Sequence, residues 1–153
     1  MDQATYFEKV IGVPNTVLYF NTSEKICTER CLERAKTSGR ADDTEETIIK
    51  RLRTYNDMSK PVVELYKKRK LVVEIDGAKD AKTVWEMTQK GMPVHKVELE
   101  GNPKIFFVLG GPGSGKRTQC ANLVKADGYT HISTSELFRA EVAKVSNHYR
   151  LIA

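Results

Sequence analysis

Seven consecutive residues, Gly110-Gly111-Pro112-Gly113-Ser114-Gly115-Lys116, stand between the apolar run IFFVL (105–109) and a helical pattern. In that context glycines let backbone N–H groups close around phosphate oxygens and the next helix aims its positive end at them. Lys116 then adds a point charge for the outer phosphates. A phosphate loop wants a hydroxyl after its lysine to meet Mg²⁺, yet Arg117 takes that place and Thr118 follows it. The metal contact is expected to shift to Thr118 or to be altered, with Arg117 pointing out of the loop or pairing with phosphate.

A second set, Arg30, Arg34, Arg40 and Arg51, surrounds the segment SGRADD (38–43). Alone, such a charge run reads as a solvated, ion-paired helix surface. Beside a phosphate loop it reads as fixed positive charge for phosphoryl transfer, where one arginine is worth roughly 10³–10⁵ in rate, about 4–7 kcal/mol. Asp42 and Asp43 stand where they can hold the arginines when no substrate is bound.

These groups need elements to carry them. Three apolar runs, TVLYF (16–20), LVVEID (71–76) and IFFVL (105–109), predict strands buried on both faces, as in a parallel sheet. A helix over 6–11 should stop at Gly12, and one over 23–34 should turn Cys27, Cys31 and Leu32 inward. Thr44 and Thr47 can cap a helix running towards Tyr55, Pro61 suits the first turn of a helix to about Lys68, and Gly91 can end a helix over 81–90. Residues 91–103, with two prolines and scattered charge, read as a connection. After the glycine loop come a helix over 116–126, a turn at Asp127-Gly128, a short strand over 130–133 and a helix from Ser135. Strands alternating with helices predict an α/β fold with a parallel sheet.

With 153 residues, 40% hydrophobic and 29% charged, the chain is long enough for one buried core, and collagen-like, low-complexity and disordered classes are excluded. No apolar run reaches the roughly 18 residues of a membrane span, and the N-terminus lacks a signal-peptide pattern, so a cytoplasmic protein is expected. Three cysteines without a CxxC pair fit a reducing compartment. A net charge of +5 favours anionic partners without choosing among them.

The segments GGPGSGKRTQC, GYTHISTSELFR, FEKVIGVPNTVLYF and ERCLERAKTSGRADDTEETIIKRL resemble the short-lid nucleoside monophosphate kinases, that is, adenylate kinase and UMP/CMP kinase. The resemblance covers nearly the whole chain, but in an order that looks like a slice across two tandem kinase repeats. Residues 1–92 match the second half of such a kinase, 93–103 form a linker, and 104–153 match the first half of a following repeat. The resemblance implies a P-loop NTPase-type parallel sheet with flanking helices, incomplete or circularly permuted. It also implies transfer of the ATP γ-phosphoryl group to a nucleoside monophosphate, with Mg²⁺ accompanying ATP and neither nucleic acid nor membrane as partner. An acceptor of the AMP kind is favoured by Thr134 and FEKVIGVP, whereas ERCLERAKTSGR reads closer to UMP/CMP kinase. The alternative of another class is a non-catalytic ATP-binding fragment.

Residue by residue, the resemblance puts Gly113, Ser114, Gly115, Lys116, Arg117 and Thr118 in the ATP phosphate loop, with Arg117 replacing a family glycine. Arg30 matches an arginine against the ATP base and Arg34 one that grips its phosphates. Arg40 and Arg51 match those clamping the transferring phosphoryl group and the monophosphate. Thr134 and Arg139 match residues of the monophosphate site, and Ser135 replaces a glycine there. Lys79 falls where the family uses a backbone carbonyl near the adenine. The Asp-Gly-Phe/Tyr-Pro-Arg segment is missing, and Asp76 belongs to the last strand rather than to a Walker B position.

Such a permuted core is geometrically possible, because roughly 13 connecting residues span up to about 43 Å. Three strands should then lie side by side, and the strand over 130–133 should lose its neighbour. Other features read blandly. Cys27 and Cys31 suit core packing, Lys67-Lys68-Arg69-Lys70 ends a helix whose dipole it complements, Trp85 anchors its helix, and His95, His131 and His148 show no catalytic or metal spacing.

Overall fold

In the computed structural model, which describes residues 2–38, 43–92 and 104–143, the centre of the sheet is β1 (Thr16–Asn21). Its neighbours are β2 (Val72–Asp76) on one side and β3 (Phe106–Gly110) on the other, both parallel to it. Val17 faces Val72 and Phe107 in register, and Phe20 faces Ile75 and Gly110. The expected three-strand core, with the two resembling halves joined in one sheet, is therefore formed. It is a P-loop NTPase-type α/β arrangement of parallel strands with flanking helices.

Thr16 to Phe20 are all buried, as a continuous apolar run predicts for a strand flanked by others and covered on both faces. The outer strands correct the same expectation. Ile75 alone is buried in β2 while Glu74 and Asp76 are exposed, and every residue of β3 is half-buried. A run of apolar residues marks a strand, but cover on both faces and both edges goes only to the central one.

Seven α-helices are formed among the described residues: α1 (Asp2–Ile11), α2 (Glu24–Ser38), α3 (Glu45–Thr54), α4 (Lys60–Lys68), α5 (Ala81–Gly91), α6 (Lys116–Asp127) and α7 (Thr134–Ala143). Local chemistry sets many of their ends. Gly12, at φ +97°, returns its N–H to Glu8 and stops α1. Thr44 Oγ1 accepts from the N–H of Thr47 at the start of α3, and Asp80 Oδ1 accepts from those of Lys82 and Thr83 at the start of α5. Pro61 lies in the first turn of α4 as expected. The run 67–70 does end that helix, with Lys67 paired to Glu74 and Arg69 to Glu8.

Three expectations fail. Helices α3 and α4 are not separate, because a π-helical turn over Tyr55–Ser59 joins them into one continuous run. Leu32, expected on the inner side of α2, is 37% exposed, since Cys27 and Cys31 already fill the face that meets Ile48 and Leu52 of α3. The strand expected over 130–133 does not form, and Ile132 is 74% exposed. A strand needs a hydrogen-bonding neighbour, and none of the described strands serves it.

Two compact units result: Met1–Gln119, which contains the whole sheet, and Cys120–Ala153, which contains the rest of α6 and α7. In the first, Val17 and Tyr66 pack with Ala4, Val62, Leu71, Val72, Phe107 and Leu109, and the rings of Tyr66 and Phe107 meet edge to face at 6.0 Å. In the second, Gly128 (φ +71°) takes up the end of α6 by donating to Val124, while Leu137 and Phe138 of α7 are exposed. The linker expected over 93–103 lies outside the described residues.

Candidate phosphate-binding site

The strand order β2-β1-β3 means that the chain leaves β1 towards one side and returns on the other. Ligands in open parallel sheets bind outside the carboxyl ends of strands at such a reversal, here between β1 and β3. The glycine loop leaves β3 at that point and α2 leaves β1 beside it.

Within the loop Gly110, Gly113 and Gly115 have φ of +151°, +78° and +94°, a backbone open to glycine and strained for other residues. Gly113 has a second reason to lack a side chain, since a Cβ there would stand 2.5 Å from the carbonyl oxygen of Cys27 and 3.1 Å from Cys31 Sγ. Cys27 and Cys31 are thus core residues, as expected, and also the surface of α2 on which the loop rests. Burial pushes both thiols above their ordinary pKa, which keeps them protonated and unreactive at neutral pH.

Lys116 folds back over its own loop. Its Nζ donates to the carbonyls of Gly110 and Gly111, each at 2.7 Å, and lies 3.5 Å from Ser114 Oγ. Ser114 is buried, whereas Arg117 and Thr118 are both exposed on the first turn of α6. Gln119, which sequence reasoning did not single out, is buried and donates through Nε2 to the carbonyl of Ala81, tying α6 to the first turn of α5.

Two arginines gather near Cys31. Arg34 donates to Asp43 through Nε at 2.7 Å and Nη2 at 2.6 Å, and Nη2 also lies 3.7 Å from Cys31 Sγ. Arg51 Nη1 reaches the same carboxylate at 3.2 Å. Asp43 is fully covered, while about a third of each arginine side chain is open to solvent. Cys31 Sγ is therefore close both to Arg34 and to the loop at Gly113. Arg40 and Asp42 lie outside the described residues.

Arg30 turns the other way along α2. Its guanidinium donates to the carbonyls of Gly77, Ala78 and Lys79 in the turn after β2, the last two at 3.1 Å. Position 79 thus meets Arg30 through its backbone carbonyl. The Lys79 side chain is exposed, 3.9 Å from Asp76. Gly77 itself is pinned, because a Cβ there would meet Thr22 Oγ1 and stand 3.0 Å from the carbonyl of Ser114. In the second unit Thr134 opens α7, and Ser135 and Arg139 are exposed along it.

A family model described as an AAA domain matches residues 109–150, a stretch that begins at the phosphate loop. The UMP-CMP kinase of Lentinula edodes is 42% identical over 92 residues, 60% of this chain and 40% of that protein. Adenylate kinase 1 of Schistosoma mansoni is 46% identical over 78 residues, 51% of this chain and 40% of that protein. Adenylate kinase isoenzyme 5 of Homo sapiens is 28% identical over 200 residues, spanning 98% of this chain and 36% of that protein. Since 200 aligned positions exceed the 153 residues of this chain, that relative has residues within the matched stretch that this chain lacks. An alignment runs in one direction through both proteins, so the order of the matched segments is shared with that relative. The chain spans 36 to 40% of the length of these curated relatives. By sequence it is therefore related to the nucleoside monophosphate kinases, adenylate kinase and UMP-CMP kinase alike.

Proposed function

We propose that the chain binds the phosphates of ATP in the loop Gly110–Lys116 and transfers the γ-phosphoryl group to a nucleoside monophosphate, AMP in the first place and UMP or CMP as the alternative. The observation that carries this reading is the position of Cys31 Sγ, which is close both to Gly113 of the loop and to Arg34, held with Arg51 on Asp43.

Each group has a physical task in this reading. The loop N–H groups and the start of α6 attract phosphate oxygens, and Lys116 exchanges the Gly110 and Gly111 carbonyls for the outer phosphates. Asp43 occupies Arg34 side-on, the same two-point geometry that a phosphoryl group takes. When phosphate arrives, the arginine pair is already formed and stabilises charge on the transferring oxygens. Arg30 and the carbonyls of residues 77–79 make a candidate edge for the base. Thr134 and Arg139 are candidate contacts for the monophosphate, with Arg40 and Arg51.

Among the described residues no group of three or more His, Cys, Asp or Glu side chains is arranged to hold a metal ion. We read Mg²⁺ as part of the MgATP substrate, with the Thr118 hydroxyl its candidate contact on the protein. Three buried cysteines outside any disulfide suit a reducing compartment, and we assign the chain to the cytoplasm. No described helix is long and apolar enough to cross a membrane.

A second reading, an ATP-binding fragment without transferase activity, draws on the unformed strand at 130–133 and on the stretch this chain lacks relative to a longer relative. Transfer of phosphate from MgATP to AMP, CMP and UMP, each assayed separately beside Lys116→Ala, decides between them. Transfer that disappears in the variant supports the kinase reading, and its preferred acceptor names the substrate. Lys116-dependent binding of MgATP with no transfer to any acceptor supports the second.

A further inference from the structure

Tyr55 begins the π-helical turn between α3 and α4, and its ring faces the phosphate loop. Cδ1 and Cε1 lie 3.6 and 3.7 Å from where a Cβ on Gly111 would stand. The carbonyl of Gly111 is one of the two that bind Lys116 Nζ. Tyr55 thus lies beside the step of the loop that parks the lysine.

The hydroxyl of the same residue is anchored elsewhere. It donates to Tyr19 Oη at 3.2 Å, and Tyr19 donates to Asn21 Oδ1 at 3.3 Å. Asn21 Nδ2 donates to Glu74 Oε1 at 2.7 Å, and Lys67 Nζ lies 3.0 Å from Glu74 Oε2. A file of side chains therefore runs across β1 to the edge strand β2 and holds the ring at its far end. Burial, reinforced by the bond to Tyr19, raises the phenol above its ordinary pKa, so Tyr55 remains a donor throughout the neutral range. The π turn is the local device that permits this. Its wider turn resets the phase between α3 and α4, and such turns recur where a side chain must be aimed.

We propose that Tyr55 is a positioning residue for the phosphate loop, its ring holding the Gly110-Gly111 step in the shape that receives a triphosphate. The proposal rests on the phosphate-binding reading of that loop. Ring contact and hydroxyl bond have separable roles: the ring shapes the loop and the hydroxyl fixes the ring.

The test uses the whole chain as wild type, Tyr55→Phe, Tyr55→Leu and Lys116→Ala, titrated with N-methylanthraniloyl-ATP and Mg²⁺, together with amide hydrogen exchange of the nucleotide-free proteins. Tyr55→Phe keeps the ring and should bind within about threefold of wild type, whereas Tyr55→Leu should bind about tenfold more weakly. Exchange should rise in Tyr55→Leu over residues 110–119 and stay unchanged in β1 and β2. Three outcomes overturn the proposal: Tyr55→Leu matching wild type in loop exchange, exchange rising as much in β1 and β2 as in the loop, or Tyr55→Phe losing as much as Tyr55→Leu. If wild type itself does not bind the probe, the phosphate-binding reading fails. The exchange comparison then still decides whether Tyr55 orders the loop.

Discussion

Asp43 receives Arg34 side-on, with Nε and Nη2 donating to its two carboxylate oxygens at 2.7 and 2.6 Å, and shares Oδ1 with Arg51 at 3.2 Å. A covered carboxylate between two partly solvated guanidinium groups is an asymmetric arrangement: the arginines can turn to water, and the aspartate cannot. The arginine pair is kept together by a group that an incoming phosphoryl oxygen can replace.

Asp43→Asn keeps the shape and removes the charge. Because the two arginines retain access to solvent, the loss should be below that of a fully buried pair, about 1–2 kcal/mol. Urea denaturation of the two proteins measures it. Titration with MgATP should show no weakening, since the arginines lose a competitor for phosphate.

Two loop glycines separate strain from collision. Gly115→Ala meets backbone strain at φ +94° with nothing within 4 Å of the new methyl, for a cost of about 1 kcal/mol. Gly113→Ala adds contact with the Cys27 carbonyl, and should cost about 1–3 kcal/mol beyond that, because helix backbone does not move aside. Equal losses in chemical denaturation would show that α2 yields to the loop.

Lys70 adopts φ +58° after α4, where its N–H meets the carbonyl of Lys67 and that of Leu71 meets Tyr66. Glycine is the natural occupant of this position. Lys70→Gly should therefore stabilise the protein by about 1 kcal/mol, seen as a rise in thermal midpoint, and an unchanged or lower midpoint would contradict the argument.

The Lys67–Glu74 pair has a pH signature. The bond from Lys67 leads the effects that hold the Glu74 carboxyl below its ordinary pKa, with a smaller contribution from Asn21. Stability from this group is thus present above the unfolded carboxylate pKa and disappears as pH falls through the lower, folded one. The bond to Glu74 raises the pKa of Lys67, whose contribution is present below its unfolded value and is lost as pH rises through the folded one. The stability difference between wild type and Glu74→Gln, followed by denaturant titration across pH, should be flat near neutrality and shrink towards both extremes. A difference that grows on acidification would overturn the assignment.

What could be read from the sequence was what is local. The cap at Thr44, the stop at Gly12 and the strand–glycine–helix succession around Lys116 each depend on neighbouring residues, and each is present in the structure. The pairing of Asp43 with arginines was legible because opposite charges stood close along the chain. Other relationships depend on residues far apart or on an absent neighbour. Nothing in Thr54-Tyr55-Asn56 announces a π turn or a ring against Gly111. Cys27 and Cys31 declare burial without declaring that a loop of glycines rests on them. Residues 130–133 have strand composition, but composition does not supply a partner for their backbone.

The central place of β1 also sets a timetable. Asn15 accepts from the N–H of Ile105 through its side chain and donates its own N–H to the Ile105 carbonyl, closing a loop of 90 residues. During synthesis β1 and β2 can pair long before β3 exists, and the Gly110–Lys116 segment joins the sheet only after that long closure. Of the three described strands, the last to dock is the one that carries the phosphate loop. A nucleotide that binds the docked form alone, present at 100 times its dissociation constant, would favour that final step by about 2.7 kcal/mol, making the ligand a participant in completing the fold.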